Sequence, residues 1–254
     1  MANYWADVSE WQVGVDDTYP YRMITIRSND GTYRDRNWSI NYPWCRRAAD
    51  EGRLDCFLVY FVYRQNWQQT LDTFTSQVGT GPGNPHERMI AMVDVESWGG
   101  QITGDQSAGV NAVVDGLRSF LGDPRRVVGY GNAGDLDALW PVKPDGIRLI
   151  VAKYSTTPPA YPGQIGWQYT DGSGYGPGPQ GAPPFGNCDM NTSDLSTVDF
   201  AAACGVATPP PPPPAPSPAT ARVRRPVKRP ARGRNVSAPL RTPREPLAES
   251  DHDR

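Results

Sequence analysis

The segment Met89-Ile-Ala-Met-Val-Asp94-Val-Glu96-Ser-Trp98 places two carboxylates, at i and i+2, at the end of a strongly apolar run. Side chains alternate along a β-strand, so both acids point to the same side. Like charges held close raise the pKa of one, and that group can then serve as a general acid near neutral pH. Glycoside hydrolysis needs such a pair. A solvated strand end or a metal site would use the same residue types. Two more acids end or open short strand-like runs. Asp7 lies in Trp5-Ala-Asp7-Val-Ser9-Glu-Trp11-Gln12, and Asp189 in Asn187-Cys-Asp189-Met-Asn191. Taken singly each is bland, because strand-end Asp residues often cap turns.

Other chemistries lack their residues. The chain has two histidines, His86 and His252, so a His-rich zinc site is nearly excluded and a Ser-His-Asp site would have to use His86. The four cysteines, 45, 56, 188 and 204, contain no C-x-x-C pair, which argues against structural zinc. They fit either disulfides Cys45–Cys56 and Cys188–Cys204 or four reduced thiols.

Seven apolar, β-branched runs read as strands: Tyr4–Val8, Met23–Arg27, Cys56–Val62, Met89–Val95, Arg126–Tyr130, Arg148–Tyr154 and Ile165–Thr170. A weaker eighth lies at Cys188–Asn191. Helical patterns fall between several of them. One is capped by Ser39 or Asn41, carries Pro43 in its first turn and ends at Gly52. Others cover Asn66–Val78, Thr103–Leu121, Gly134–Leu139 and Ser196–Cys204. Alternation of strand and helix predicts an α/β fold with a parallel sheet. Right-handed crossovers over eight strands close it into an irregular TIM-like barrel, with helices missing from the last third. In such a barrel the C-terminal strand ends face the active site, and the first and last strands, hence Asp7 and Asp189, are neighbours. An open doubly wound sheet is the competitor, but no Gly-rich turn follows the first strand.

Two domains are expected, a folded body over 1–207 and a tail over 208–254. The tail holds 13 of the 27 prolines, including Pro209–Pro214, and carries net charge +6 against −8 for the body. It has too little apolar content to offset ordering entropy and is read as disordered, with an extended polyproline start. An acidic body argues against a nucleic-acid partner, whereas the tail suits polyanions. The start lacks a basic and an apolar signal region, and no run of 18 apolar residues offers a membrane span.

The order of motifs is more specific than any one of them. Asp7-Val-Ser9-Glu-Trp-Gln12 resembles the opening motif of glycoside hydrolase family 25, the Chalaropsis-type muramidases. Ile24-Thr-Ile-Arg27-Ser28-Asn-Asp-Gly31-Thr-Tyr33-Arg-Asp35 is similar to its second-strand motif, and Asp94-Val-Glu96 to its central catalytic strand. Val127-Val-Gly-Tyr130-Gly-Asn132, Leu149-Ile-Val-Ala152-Lys-Tyr154, Trp167-Gln168-Tyr169-Thr170 and Asp189-Met-Asn191 complete the series across residues 3–205. One departure stands out. The third strand, usually Tyr-His-Phe in that family, reads Tyr60-Phe61-Val62 here.

The resemblance implies hydrolysis of the β-1,4 bond between N-acetylmuramic acid and N-acetylglucosamine in bacterial peptidoglycan, by a monomer without metal or cofactor. It implies Glu96 as general acid and Asp94 as the second essential carboxylate, with Asp7 and Asp189 shaping an acidic floor. Tyr60, Trp98, Tyr130 and Trp167 are candidates to stack on sugar rings, with Tyr60 and Trp167 favoured by motif position, and Gln12 is a further candidate for substrate contact. The source expected is a phage endolysin, held in the host cytoplasm before its release to the wall, a virion-borne wall hydrolase, or a bacterial enzyme. The competing expectation is a non-catalytic glycan-binding module of a phage particle. The tail would then tether the enzyme to anionic wall polymers or be inert.

Overall fold

In the computed structural model, which describes residues 3–79 and 81–207, the apolar runs form eight strands of one closed barrel. They are β1 (Asn3–Val8), β2 (Thr25–Asp30), β3 (Phe57–Val62), β4 (Met89–Asp94), β5 (Val127–Asn132), β6 (Arg148–Ala152), β7 (Gln164–Thr170) and β8 (Asp189–Ser193). Strands β2 to β7 run parallel in sequence order, and β1 joins β2 through two residue pairs, Asp7 with Thr25 and Val8 with Ile26. The last strand departs from the expected parallel order: β8 lies antiparallel to both β7 and β1. The cause is local. The connection from β7 to β8 contains no helix, only a loop with a two-strand ribbon, Gly181–Ala182 with Gly186–Asn187, so the chain returns as a hairpin instead of crossing over.

Side chains alternate between two cores. Trp5, Leu58, Ile90, Met92, Val128 and Ile150 fill the barrel, while Val59, Ala91, Val93, Leu149 and Val151 pack outward. The helices α1 (Trp38–Asp50), α2 (Trp67–Val78), α3 (Ser107–Leu121) and α4 (Ala133–Ala138) follow β2 to β5. Val110, Val113, Val114, Leu117 and Leu121 form the buried stripe of α3, as their 3- and 4-residue spacing requires. The final helix, α5 (Thr197–Ala203), sends Phe200 into the inner core, edge-on to Trp5 at 5.4 Å. Thr197 also donates to Asp55, just before β3, so α5 closes the end where the parallel strands begin.

Two helix starts shift. α1 opens at Trp38, so Pro43 sits inside it, past the first turn, and Asn41 instead accepts from the backbone N–H of Val15 at 3.0 Å. α3 opens at Ser107 rather than Thr103, because Asp105 accepts from the Ser107 N–H at 2.8 Å and ends the preceding turn. All four cysteines are free and buried. Cys45 and Cys188 lie in the outer core and Cys56 and Cys204 in the inner one, so the barrel wall separates both sequence-neighbour pairs. The tail, 208–254, lies outside the described residues.

Candidate active site

At the C-terminal mouth of the parallel strands, Asp7, Asp94, Glu96 and Asp189 line one cleft together with Tyr60, Met92, Trp98, Tyr130, Tyr154 and Gln168. Its volume is about 240 Å³. Strand alternation turns Met92, Asp94 and Glu96 inward while Val93 and Val95 pack outward. Asp7 at the end of β1 is the register partner of Asp189 at the start of β8. The antiparallel direction of β8 is what brings Asp189 here. A parallel eighth strand would begin at the opposite end of the barrel.

The four acids share a setting that disfavours charge. Burial is the first cause at every one. It pushes Glu96 up to about 7, helped by the charges of Asp135 and Asp189. It pushes Asp189 up to about 6, with Asp171 contributing. Asp94 is raised by burial and then by Glu96 and Asp7, and Asp7 by burial and then by Asp189 and Glu96. Such a cluster sheds its protons in coupled steps and is not fully ionised at neutral pH. Cations nearby are already engaged. Arg27 bonds Asp35 at 2.8 Å and Glu10 at 2.9 Å, and Arg64 bonds Asp30 at 2.5 and 2.8 Å. Asp94 Oδ1 is buried and accepts no hydrogen bond from the described residues. It is an acceptor held ready at the cleft.

The other candidates divide. Tyr60, Trp98 and Tyr130 line the cleft. Trp98 is 37% exposed, has a backbone φ of +49° and stands over the Arg64 guanidinium at 5.2 Å. Trp167 does not reach the acids. It faces out of the barrel wall, donates to the Lys153 carbonyl at 2.8 Å and packs edge-on against Tyr169. Its neighbour Gln168 turns inward instead. Gln12 also lies outside the cleft, where its side chain accepts from the Ser9 N–H at 2.9 Å and closes the turn after β1. Phe61, at the position where the resemblance leads to histidine, faces α2 and packs on Phe74 at 5.1 Å. The substitution therefore leaves the cleft lining untouched. His86 is likewise remote: it precedes β4 and meets Asp50 at 3.1 Å.

Three residues not singled out from the sequence belong to the site. Gln168 Oε1 accepts from the hydroxyls of Tyr130 at 2.7 Å and Tyr154 at 3.0 Å, locking both rings. Asp135, at the start of α4, accepts from the Ser97 N–H at 3.0 Å and the Asn132 amide at 2.8 Å, and so holds the turn that carries Glu96. Among the described residues no group of three or more His, Cys, Asp or Glu side chains converges as metal ligands do.

No family model matches the chain. It is 50% identical over 205 residues to the uncharacterized protein Rv3766 of Mycobacterium tuberculosis, covering 80% of this chain and 74% of that protein. Solved structures of the same architecture include a family 25 glycosyl hydrolase from Bacillus anthracis, with a TM-score of 0.61 at 14% identity, covering 79% of this chain and 92% of that one. The CTP1L endolysin superposes with a TM-score of 0.60 at 19% identity, over 80% and 69% of the two chains. The catalytic domain of endolysin ply40 from the Listeria monocytogenes bacteriophage P40 gives 0.55 at 20% identity, over 82% and 98%. By its identity to Rv3766 the chain belongs to that protein's family, and its barrel has the fold of the family 25 glycosyl hydrolases.

Proposed function

We propose that the chain is a peptidoglycan muramidase that cleaves the β-1,4 bond between N-acetylmuramic acid and N-acetylglucosamine. The observation that carries this reading is Glu96, raised to about 7 beside Asp94 in a cleft whose other acids are Asp7 and Asp189. A carboxyl still protonated near neutrality can hand its proton to the glycosidic oxygen as the C–O bond breaks. Positive charge then grows at the anomeric carbon, and the ionised members of the cluster stabilise it. The open Oδ1 of Asp94 suits the N–H of a 2-acetamido group, which both sugars carry. Water supplies the hydroxyl that completes the product, and its proton restores the acid. Endolysins among the fold neighbours and the order of the sequence motifs support peptidoglycan as the substrate class of this reading.

The deciding experiment is digestion of purified peptidoglycan followed by mass analysis of the products. Muramic acid at the new reducing ends supports the reading. Glucosamine at the new reducing ends would make the chain a glucosaminidase, and an undigested wall would leave a glycan-binding module.

A further inference from the structure

Beyond the acidic cleft, Tyr154 and Tyr175 are the exposed aromatics that continue its rim. Tyr154 lines the cleft, and its ring lies 6.1 Å from that of Tyr175 at an interplanar angle of 24°. Both are well exposed, 40% and 45%. An exposed pair of near-parallel rings is normally free to scatter, but this pair is held. Tyr154 donates to Gln168 at 3.0 Å. Tyr175 sits on the loop between β7 and β8, which Gln180 ties together. The Gln180 amide donates to the carbonyls of Tyr175 at 2.6 Å and Gly178 at 3.1 Å, and its oxygen accepts from Gly174 N–H at 2.8 Å and Thr170 at 2.6 Å. Tyr169 adds a bond to the Pro179 carbonyl at 2.5 Å. Gly176 completes the arrangement: its φ is +77° and a Cβ there would lie 2.0 Å from the Tyr169 ring. The loop is thus pressed onto the barrel next to Tyr175, and the ring is left in solvent with its backbone fixed.

The cleft itself, at about 240 Å³, is smaller than the roughly 300–1,000 Å³ of pockets that enclose a drug-sized ligand. A polymeric ligand must therefore run out over its rim. Sugar rings present apolar C–H faces that aromatic rings cover well, and rings fixed beforehand lose little entropy on contact.

We propose that Tyr175, stepped against Tyr154, forms an outer subsite that binds a pyranose ring of the same glycan strand, beyond the sugars held in the acidic cleft. For the identity of its ligand this subsite rests on the glycan-cleaving reading of the cleft. Its consequence is a preference for long strands over short ones, set by the β7–β8 loop and separate from the bond-breaking acids.

The test is calorimetric binding of a tetrasaccharide and an octasaccharide of alternating N-acetylglucosamine and N-acetylmuramic acid. The full chain carries Glu96→Gln so that the ligands persist. The octasaccharide is expected to bind about three- to tenfold more tightly, the range a single ring contact supplies. Tyr175→Ala removes this difference, Tyr175→Phe keeps it, and Gln180→Ala, which frees the loop, reduces it. Equal binding of the two ligands, or a length preference that survives Tyr175→Ala, overturns the subsite. Product analysis of the unmutated chain tests the cleavage reading separately, so an inactive chain with Tyr175-dependent length preference would keep the subsite and remove the enzyme.

Discussion

The carboxylate of Asp135 accepts from the Ser97 backbone at 3.0 Å and from its hydroxyl at 3.3 Å, which sets a negative charge one residue beyond Glu96. The contact serves two ends. It fixes the turn after β4, and its charge helps keep Glu96 protonated. Asp135→Asn separates them, because an amide oxygen can still accept from Ser97 while the charge is lost. Losing a negative neighbour lowers the pKa of Glu96, so the alkaline limb of the activity profile moves to lower pH. Activity at acidic pH is retained in Asp135→Asn and lost in Asp135→Ala, whose turn is released. Superimposable pH profiles for Asp135→Asn and the unmutated chain would show that the charge plays no part.

Glu96→Gln is expected to reduce wall lysis by about 10²–10⁴-fold, the usual worth of a general acid, with the fold intact. Lysis assays paired with circular dichroism check this. Near-normal lysis would remove Glu96 from the reaction. Asp94→Asn is expected to cost a similar factor and to shift the alkaline limb downward, since Asp94 and Glu96 face the same cleft.

The acid cluster is expected to make the fold less stable as pH rises. In the unfolded chain these carboxyls titrate at about 4, whereas in the fold Glu96 is near 7 and Asp189 near 6. Their protonated forms favour the fold fully below pH about 4, and that contribution is lost as pH rises through their folded values. Asp189→Asn removes one member, so thermal melts at pH 8 are expected to show stabilisation on the order of 1–3 kcal/mol. That corresponds to roughly 2–4 °C in Tm per kcal/mol for a chain of this size. The gain shrinks toward pH 4. A gain that is independent of pH would point to packing instead of charge.

Exhaustive chelation is expected to leave hydrolysis unchanged, because the proton transfer proposed for Glu96 and the charge stabilisation proposed for its neighbours need no ion. Activity lost to a chelator and restored by a divalent cation would overturn that expectation.

The tail offers a salt-dependent test. A chain ending at Ala207 is expected to melt at the same temperature as the full chain and to bind isolated walls more weakly at low salt. The difference should vanish near about 0.5 M salt, where charge attraction is short-ranged. Equal low-salt binding would assign the basic segment no role in tethering.

Much of the site was legible because strand alternation is strict. Asp94 and Glu96 had to share a face, and Asp7 had to end its strand at the mouth. Asp189 was placed correctly for an incomplete reason. Its neighbourhood with Asp7 follows from barrel closure, but its height follows from the reversed direction of β8, which composition does not report. The aromatic of Trp167-Gln168 drew attention to the wrong partner of the pair. Trp167 shares its parity with Tyr169, and both rings pack in the outer core, which leaves Gln168 between them to face the cleft. Asn132-Ala-Gly-Asp135 has the spacing of a helix cap, and Asn132 does accept from the Asp135 N–H at 2.9 Å. That Asp135 also reaches Ser97 depends on the start of α4 meeting the turn after β4, which spacing alone does not encode.

The closure of the barrel between β1 and β8 also sets when the four acids can come together. Of the barrel strands β1 emerges first from the ribosome, yet only two residue pairs join it to β2, against five that join it to β8. Its main partner is the last strand of the barrel, so a nascent chain holds Asp7 apart from Asp189 until almost the whole barrel has been made. Bringing together partners so distant in sequence is the slow, entropically costly step for a fold of this kind. The mutually repelling acids are therefore assembled at the end, when the rest of the barrel is in place to hold them. A cleft that needs the final strand stays unformed in every chain that lacks it.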